Sequence, residues 1–380
     1  MKPSLRSLER WLKQLVLSIL RVALRTPSVD FPGLSSFSRI LVVRQHNQLG
    51  DMLCVTPLLR AIRASCPEAH ISLMASPVNE AIMLRNRSID EVLVFEKERY
   101  LRSRGLRLGN ALRDLREIRS RKFELAIVPS TVSTSLTSDF LAYLSGAAFR
   151  IGARSLDGAK NPSGFLFTQS VDLDWRDTPE RHQTLRNADV MGSYAAPPGD
   201  LSLEITLSEE EMRWGREQLA IWKGPKRMTI GVHPGAGKPA NRWPAARFAE
   251  VVKKLSREFD ALVVITSGPM DGEEVGVVEN GLSGWVQVIH NQPIRQVASL
   301  LRYVDLLISN DTGIMHVAAG VGTPVLSLFG PTDPRQWAPL GPFHRYIKSE
   351  TSDIGEIEAG TVLRIAREML RAPGPDRRRA

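Results

Sequence analysis

Arg39-Ile40-Leu41-Val42-Val43-Arg44, running straight into Gln45-His46-Asn47-Gln48-Leu49-Gly50-Asp51, is the stretch that decides the fold. Consecutive apolar residues between two arginines are too few for an ordinary helix and lack the alternation of a half-exposed strand. They read as a strand buried on both faces, the habit of parallel sheets. Residues 51–65 then follow a helical period, and Gly50 suits a tight passage from strand to helix. Working outward, apolar runs at 70–75, 91–95 and 123–129 are further strand candidates, separated by helical stretches such as 106–118. Residues 152–179, rich in Gly, Asp and Ser and without clear period, read as a loop over the sheet's edge, and 181–191 as a helix.

Ala195-Ala196-Pro197-Pro198-Gly199 is the clearest linker signal in the chain. Beyond it a second series opens with Ser208-Glu209-Glu210-Glu211, a capping-box signature, and continues with strand runs at 228–232, 262–266, 286–289, 306–309 and 325–329. Two successive series of alternating strands and helices predict an α/β chain of two similar halves. Ligands of such parallel sheets bind beyond the carboxyl ends of the strands, here in the cleft expected between the halves.

Composition narrows the function. A chain of 380 residues, 43% hydrophobic and 24% charged, is neither disordered nor a disulfide-stapled miniprotein. Cys54 and Cys66 form no CxxC and no Cys/His cluster, so no metal site is predicted and a reducing, cytoplasmic setting is expected. The net charge of +9 gathers at the ends: residues 1–35 hold six Lys/Arg against Glu9 and Asp30, and Arg377, Arg378 and Arg379 stand against Asp376. The body is then nearly balanced and carries no recognisable nucleic-acid module, so nucleic acid is not an expected partner. Leu5, Leu8, Trp11, Leu12, Leu15 and Ile19 recur at helical spacing with basic residues between them. Residues 5–25 therefore read as a basic amphipathic helix, either an anchor on an anionic membrane surface or a helix docked on the protein's own core. Lys13 and Arg21 leave too short an apolar run for a cleavable signal or a spanning helix.

Three segments carry candidate chemistry. In the first, Arg44, Asn47 and Gly50 stand at the mouth of the sheet with Asp51, which reads either as a helix N-cap or as a general base. This is not GxGxxG, which argues against a nicotinamide enzyme. In the second, His233-Pro234-Gly235-Ala236-Gly237-Lys238-Pro239-Ala240-Asn241-Arg242-Trp243-Pro244 follows a strand. Its glycines and prolines can expose backbone N–H groups in a concavity beside the charge of Lys238, which suits a phosphate; a structural turn with a solvated lysine reads equally well. In the third, Ser309-Asn310-Asp311-Thr312-Gly313-Ile314-Met315-His316 enters a helix whose first-turn amides, with the Thr312 hydroxyl, form an anion site. Asp311 lies beside it as a cap or sugar-hydroxyl acceptor, and His316 one turn in as a packing residue. Phe329-Gly330-Pro331-Thr332-Asp333-Pro334 closes the last strand near the same place.

These blocks, in this order, resemble glycosyltransferase family nine, the ADP-heptose:lipopolysaccharide heptosyltransferases and their relatives. The carriers are Gln48-Leu49-Gly50-Asp51 with Thr56-Pro57-Leu58-Leu59-Arg60, His233-Pro234-Gly235-Ala236-Gly237 with Arg242-Trp243-Pro244, and Asn310-Asp311-Thr312-Gly313 with His316, Gly322-Thr323-Pro324 and Phe329-Gly330-Pro331-Thr332. The resemblance spans residues 36–350 and implies a GT-B fold, two Rossmann-like domains with parallel sheets facing across a cleft. Within that span the resemblance implies an acceptor-side domain (36–195) and a nucleotide-sugar domain (196–350); outside it lie the basic N-terminal helix (1–35) and a C-terminal helix with a basic tail (351–380). It also implies inverting, metal-independent transfer without a cofactor, from a nucleotide-sugar donor, ADP-linked in much of the family, to a lipid-linked saccharide at the inner face of the cytoplasmic membrane. On this resemblance Asp51 is the catalytic base. Lys238, Thr312 and Gly313 hold the donor diphosphate, His233, Gly235, Asn241, Asp311 and His316 lie on the donor and sugar side, and Arg44, Asn47 and Gly50 on the acceptor side. One departure stands out: the family often has a lysine where this chain has Asn241, with Lys238 three residues earlier as its substitute. Alternatives within reach of the same residues are a sugar-nucleotide epimerase or hydrolase and a binding module without turnover.

Overall fold

The computed structural model describes residues 18, 20–24, 26, 29–96, 99, 101, 102, 105, 106, 108–282 and 286–373. Most of the basic stretch 5–25 and the Arg377–Arg379 tail lie outside the described residues; within the stretch, residues 20–23 are helical. No helix among the described residues is long and apolar enough to cross a membrane. The chain forms two compact units. One comprises Met1–Asn47, Leu58–Glu80 and Ser88–Gly199, the other Gln48–Pro57, Ala81–Arg87 and Asp200–Ala380.

The first unit is built on β1 (Arg39–Arg44), whose last five residues are buried. It pairs in parallel with β2 (His70–Ala75) on one side and β6 (Leu125–Ile127) on the other, so both faces need cover and the run is continuously apolar. β3 (Glu91–Val94) lies outside β2, and β7 (Phe149–Leu156) outside β6. A separate hairpin joins β4 (Leu101–Arg102) and β5 (Gly105–Leu106). The helical stretch expected over 51–65 is two helices, α1 (Leu49–Leu53) and α2 (Thr56–Ser65). Pro57 has no N–H to offer the carbonyl four residues back, and the Thr56 hydroxyl bonds that Leu53 carbonyl instead, at 2.8 Å. α3 (Pro77–Met83), α4 (Leu108–Ser120), α5 (Leu136–Leu144) and α6 (Gln183–Asp189) follow.

The region 152–179 is not the expected loop. β7 occupies its start, β8 (Ala159–Lys160) turns back antiparallel to it, and β9 (Gln169–Leu173) adds a parallel edge strand. Asp157 and Gly158 make the two-residue turn with φ of +49° and +79°. Both central residues are left-handed, as in the hairpin turn that Asp-Gly favours.

The second unit repeats the plan in one all-parallel sheet ordered β12-β11-β10-β13-β14-β15. Its strands are β10 (Met228–His233), β11 (Ala261–Ser267), β12 (Val286–His290), β13 (Leu306–Asn310), β14 (Val325–Phe329) and β15 (His344–Lys348). Helices α7 (Glu209–Lys223), α8 (Ala245–Glu258), α9 (Gly272–Gly281), α10 (Ile294–Leu301), α11 (Gly313–Gly320), α12 (Pro334–Trp337) and α13 (Ala359–Arg371) complete it. Ile230, Val232, Phe248, Ile265 and Ile308 are central to its core.

The predicted capping box is formed: Ser208 accepts from the Glu211 amide at 3.1 Å, and the Glu211 carboxylate accepts from the Ser208 amide at 2.7 Å. Arg295 binds the same carboxylate at 2.6 Å and reaches the Thr206 carbonyl at 2.8 Å and the Ala81 carbonyl at 2.9 Å, tying α10, α7 and the Ala81–Arg87 segment together. The Arg295 hydrogen bonds hold the Glu211 carboxyl down at about 2. A depressed carboxyl stabilises the fold above its unfolded pKa and loses that contribution as pH falls toward the folded value. Arg295→Met is therefore expected to cost about 2–3 kcal/mol at neutral pH, a partly exposed pair being worth less than a buried one. The gap from the parent chain should narrow in urea titrations run from pH 5 down to about pH 2. A gap independent of pH would contradict this linkage.

Candidate active site

In the second sheet β10 and β13 are neighbours, β11 and β12 lie beyond β10, and β14 and β15 beyond β13. The strand order reverses between β10 and β13, so the loops leaving His233 and Asn310 open a crevice at their carboxyl ends.

Asn310 holds the first of these loops. Its Nδ2 donates to the Pro234 carbonyl at 2.7 Å and its Oδ1 accepts from the Trp243 amide at 3.1 Å. Trp243 is fully buried, stands edge-on to Phe248, and donates Nε1 to the Ile357 carbonyl at 2.9 Å. Arg242 donates to the Ala236 carbonyl at 2.9 Å and pairs with Glu274 at 2.6 Å. The glycine-rich loop is thus fixed at both ends rather than left as a free turn.

Asp271 supports it from the neighbouring strand's loop. A Cβ on Gly235 would come within 2.1 Å of the Asp271 carboxyl carbon, so only glycine fits. That carboxylate accepts from the Gly268 amide at 2.7 Å and lies 3.8 Å from His233 Nε2. His233 Nδ1 is 3.0 Å from both the carbonyl and the hydroxyl of Thr266. Burial pushes the His233 imidazole below its ordinary range, opposed by the Asp271 charge. Burial thus favours the neutral ring, which Thr266 and Asp271 flank on its two nitrogen sides. Sequence reasoning passed over Asp271, although an acidic residue at the carboxyl end of the strand after the glycine-rich loop is a signal in such sheets.

Asn241 donates to the Asp311 carboxylate at 3.0 Å. Burial raises the Asp311 carboxyl above its ordinary range, while a Thr332 hydrogen bond and the Lys238 charge pull it back. The Phe329–Pro334 loop therefore does reach this place. Lys238 is exposed and opens the short turn Pro239–Asn241. Thr312 is the N-cap of α11 in an extended conformation, and its hydroxyl makes no capping bond. Gly313 begins the helix; of the first-turn amides, that of Met315 donates to the Thr312 carbonyl at 3.1 Å, while helix geometry gives the Gly313 amide no acceptor within the helix.

The fourth component comes from the beginning of the chain. α1 packs on α11 inside the second unit, and glycine makes the approach possible at two points. A Cβ on Gly50 would stand 2.6 Å from His316 Cδ2, and one on Gly313 would stand 3.2 Å from Leu49 Cβ. Gly50 is thus required by the His316 ring rather than by a tight turn. His316 is buried and edge-on to Trp337, with ring centroids 6.3 Å apart. Asp51 is the third residue of α1 and nearly buried, and the N-cap is Gln48. The capping alternative for Asp51 therefore falls.

Arg44 ends β1 in the first unit, fully buried, and donates to the Pro129 carbonyl at 3.0 Å and to Thr131 Oγ1 at 3.2 Å. Asn47 is exposed after it. Gly50, read as a companion of these two, belongs to the other unit. Asp51, Gly50, His233, Gly235, Lys238, Asn241, Asp311, Thr312, Gly313 and His316 all lie in the second unit, whereas Arg44 and Asn47 lie in the first.

Residues 112–364 match the family model described as glycosyltransferase family 9 (heptosyltransferase). Lipopolysaccharide heptosyltransferase 2 of Escherichia coli K12 is 25% identical over 319 residues, 82% of this chain and 88% of that protein. Among solved structures, the glycosyl transferase family 9 protein from Veillonella parvula superposes with a TM-score of 0.76 at 24% identity, covering 88% of this chain and 97% of its own. The Escherichia coli ADP-heptose LPS heptosyltransferase II superposes with a TM-score of 0.72 at 24% identity, covering 87% and 98%.

Proposed function

The chain belongs to glycosyltransferase family 9, and from that premise we propose that it is an inverting, metal-independent heptosyltransferase. It moves a heptose or related sugar from a nucleotide-diphosphate donor, ADP-heptose, to a hydroxyl of a lipid-linked saccharide such as lipopolysaccharide core. The observation that carries this reading is the clamping of the Asp51 helix onto the helix that begins at Gly313. It is supported by a relative and a structural neighbour whose names specify lipopolysaccharide heptosyl transfer.

The chemistry follows from the donors present. Asp51 takes the proton of the acceptor hydroxyl as that oxygen attacks the anomeric carbon. The bond from that carbon to the diphosphate oxygen breaks in the same displacement, so the configuration inverts. The leaving diphosphate keeps the electron pair and is met by the Lys238 ammonium, the Thr312 hydroxyl and the Gly313 amide at the positive end of α11. All three are supplied by the chain itself, so the proposed chemistry needs neither a metal nor a cofactor. Thermal melts should show ADP raising the midpoint above UDP and GDP, equally with and without a chelator. No response to any nucleotide would overturn the reading. Preference for UDP or GDP would change the donor.

Lys238→Ala should raise the donor KM about tenfold or more and lower kcat/KM with it, the scale of one charge-assisted contact. Unchanged donor affinity would make Lys238 a solvated turn residue.

For the acceptor's sake we place the protein at the cytoplasmic face of the inner membrane, held peripherally by residues 5–25, whose basic and apolar residues suit an anionic leaflet. Deleting residues 2–25 should weaken flotation with phosphatidylglycerol vesicles without lowering the thermal midpoint of the body. Undiminished flotation would remove this attachment.

A further inference from the structure

The near balance of the body's charge conceals a local concentration. Residues 97–122 hold ten Lys/Arg against three Asp/Glu. Much of this stretch is α4, which packs Ile118 against the first unit's core and turns another face to solvent. On that outer face Leu112 is 52% exposed, and Arg113, Arg116 and Arg119 are exposed beside it. Asp114 lies near Arg99 and Arg113, and Glu117 near Arg121. Among the described residues Arg116 pairs with no carboxylate.

A second observation concerns apolar side chains. From residue 30 onward, the exposed large hydrophobic residues described in the first unit are Val78, Val94, Leu112 and Val132. Val78 follows the carboxyl end of β2, Val94 ends β3, and Val132 follows β6. Leu112 lies in the first half of α4, the helix that leads from the β4–β5 hairpin to the start of β6. Singly, such residues need no explanation. Val78, Val94 and Val132, however, all end or follow strands at one end of the sheet, the end at which Arg44 closes β1, and Leu112 faces solvent on the neighbouring helix. Val94 also lines a cleft of about 280 Å³ between β3 and α4, whose walls combine Met74, Phe95 and Ile118 with Arg99.

We propose that the carboxyl end of the first sheet, with the outer face of α4, docks on an anionic lipid surface. Valine and leucine side chains enter between headgroups while arginines beside them meet lipid phosphates. Nucleic acid would reward the arginines and leave the valines in water. The inference rests on the reading of a lipid-linked acceptor, since a sugar held in a bilayer must be met by an enzyme whose acceptor end faces that bilayer. This face adds to any attachment through residues 5–25, because partition strength grows with both buried apolar area and local basic charge.

The test is the partition of the full chain onto vesicles of phosphatidylcholine, alone or mixed with phosphatidylglycerol. Arg113→Ser with Arg116→Ser should lower partition onto the anionic vesicles more than tenfold, at about fivefold per basic residue, and high salt should erase the difference. Leu112→Ser should lower it further. Arg113→Lys with Arg116→Lys should keep it, because a lipid surface reads charge. Unchanged partition in the serine pair overturns the proposal, as does a lysine pair as weak as the serine pair, which would mark a specific guanidinium site. Turnover on a water-soluble, delipidated acceptor should be equal in parent and variants. A parent inactive on every acceptor would sink the transferase reading and leave the partition result to stand alone.

Discussion

Asp51→Asn is expected to lower kcat by roughly 10²–10⁴ while leaving donor affinity nearly unchanged, because a general base acts only when the proton moves. The substitution keeps the size of the side chain and removes its basicity. It also removes one negative charge from the first turn of α1, where Asp51 is the third residue. That loss is worth only about 0.3–1 kcal/mol of stability. An inactive enzyme with a nearly normal melting temperature is thus the predicted signature. Turnover retained to within a few-fold would return Asp51 to a purely structural role, and the proton would need another acceptor.

Gly50→Ala should produce the second largest effect by a different route. The new methyl would meet the His316 ring at 2.6 Å, in an interface where both partners are buried. Overpacking of this kind costs about 1–3 kcal/mol. It should also displace α1 and carry Asp51 with it; a misplacement near 1 Å costs about 10²-fold in rate. His316→Ala in the same chain makes room, so the double variant should recover part of both losses. If Gly50→Ala alone were active and stable, the close packing of α1 on α11 would not be what sets the position of Asp51.

Much of this architecture was legible because buried parallel strands carry their own signature. The runs at 39–44, 70–75 and 325–329 match β1, β2 and β14 residue for residue, and the other predicted strands differ from the observed ones only at their ends. Ser208 and Glu211 declared the start of α7 by a purely local device. The failures have physical reasons as well. β9 is an edge strand with part-exposed residues, so Ser170 and Asp172 masked it, although Asp157-Gly158 was a readable turn. Pro57 likewise announced a helix break that the apolar period concealed.

At the site, the glycine-rich loop and the helix entered at Gly313 were readable because each is a contiguous segment. The tertiary partners were not. Asp271 lies under Gly235 only because β11 pairs with β10. Gly50 needs to be glycine only because His316, far along the chain, packs on it. Nor does any local pattern say that Gln48–Pro57 leaves the strand it follows and joins the other compact unit. The charge of residues 97–122 was present in the sequence but averaged away over a larger body.

Acceptor-dependent transfer is read out by following nucleotide release and acceptor mass together. The purified chain would be given ADP-heptose, a chelator and a lipid-linked core saccharide. ADP should form only when acceptor is present, with one sugar added to the acceptor for each ADP released, and neither product should appear with Asp51→Asn. ADP released at the same rate without acceptor, or ADP bound with no product formed, would contradict acceptor-dependent transfer.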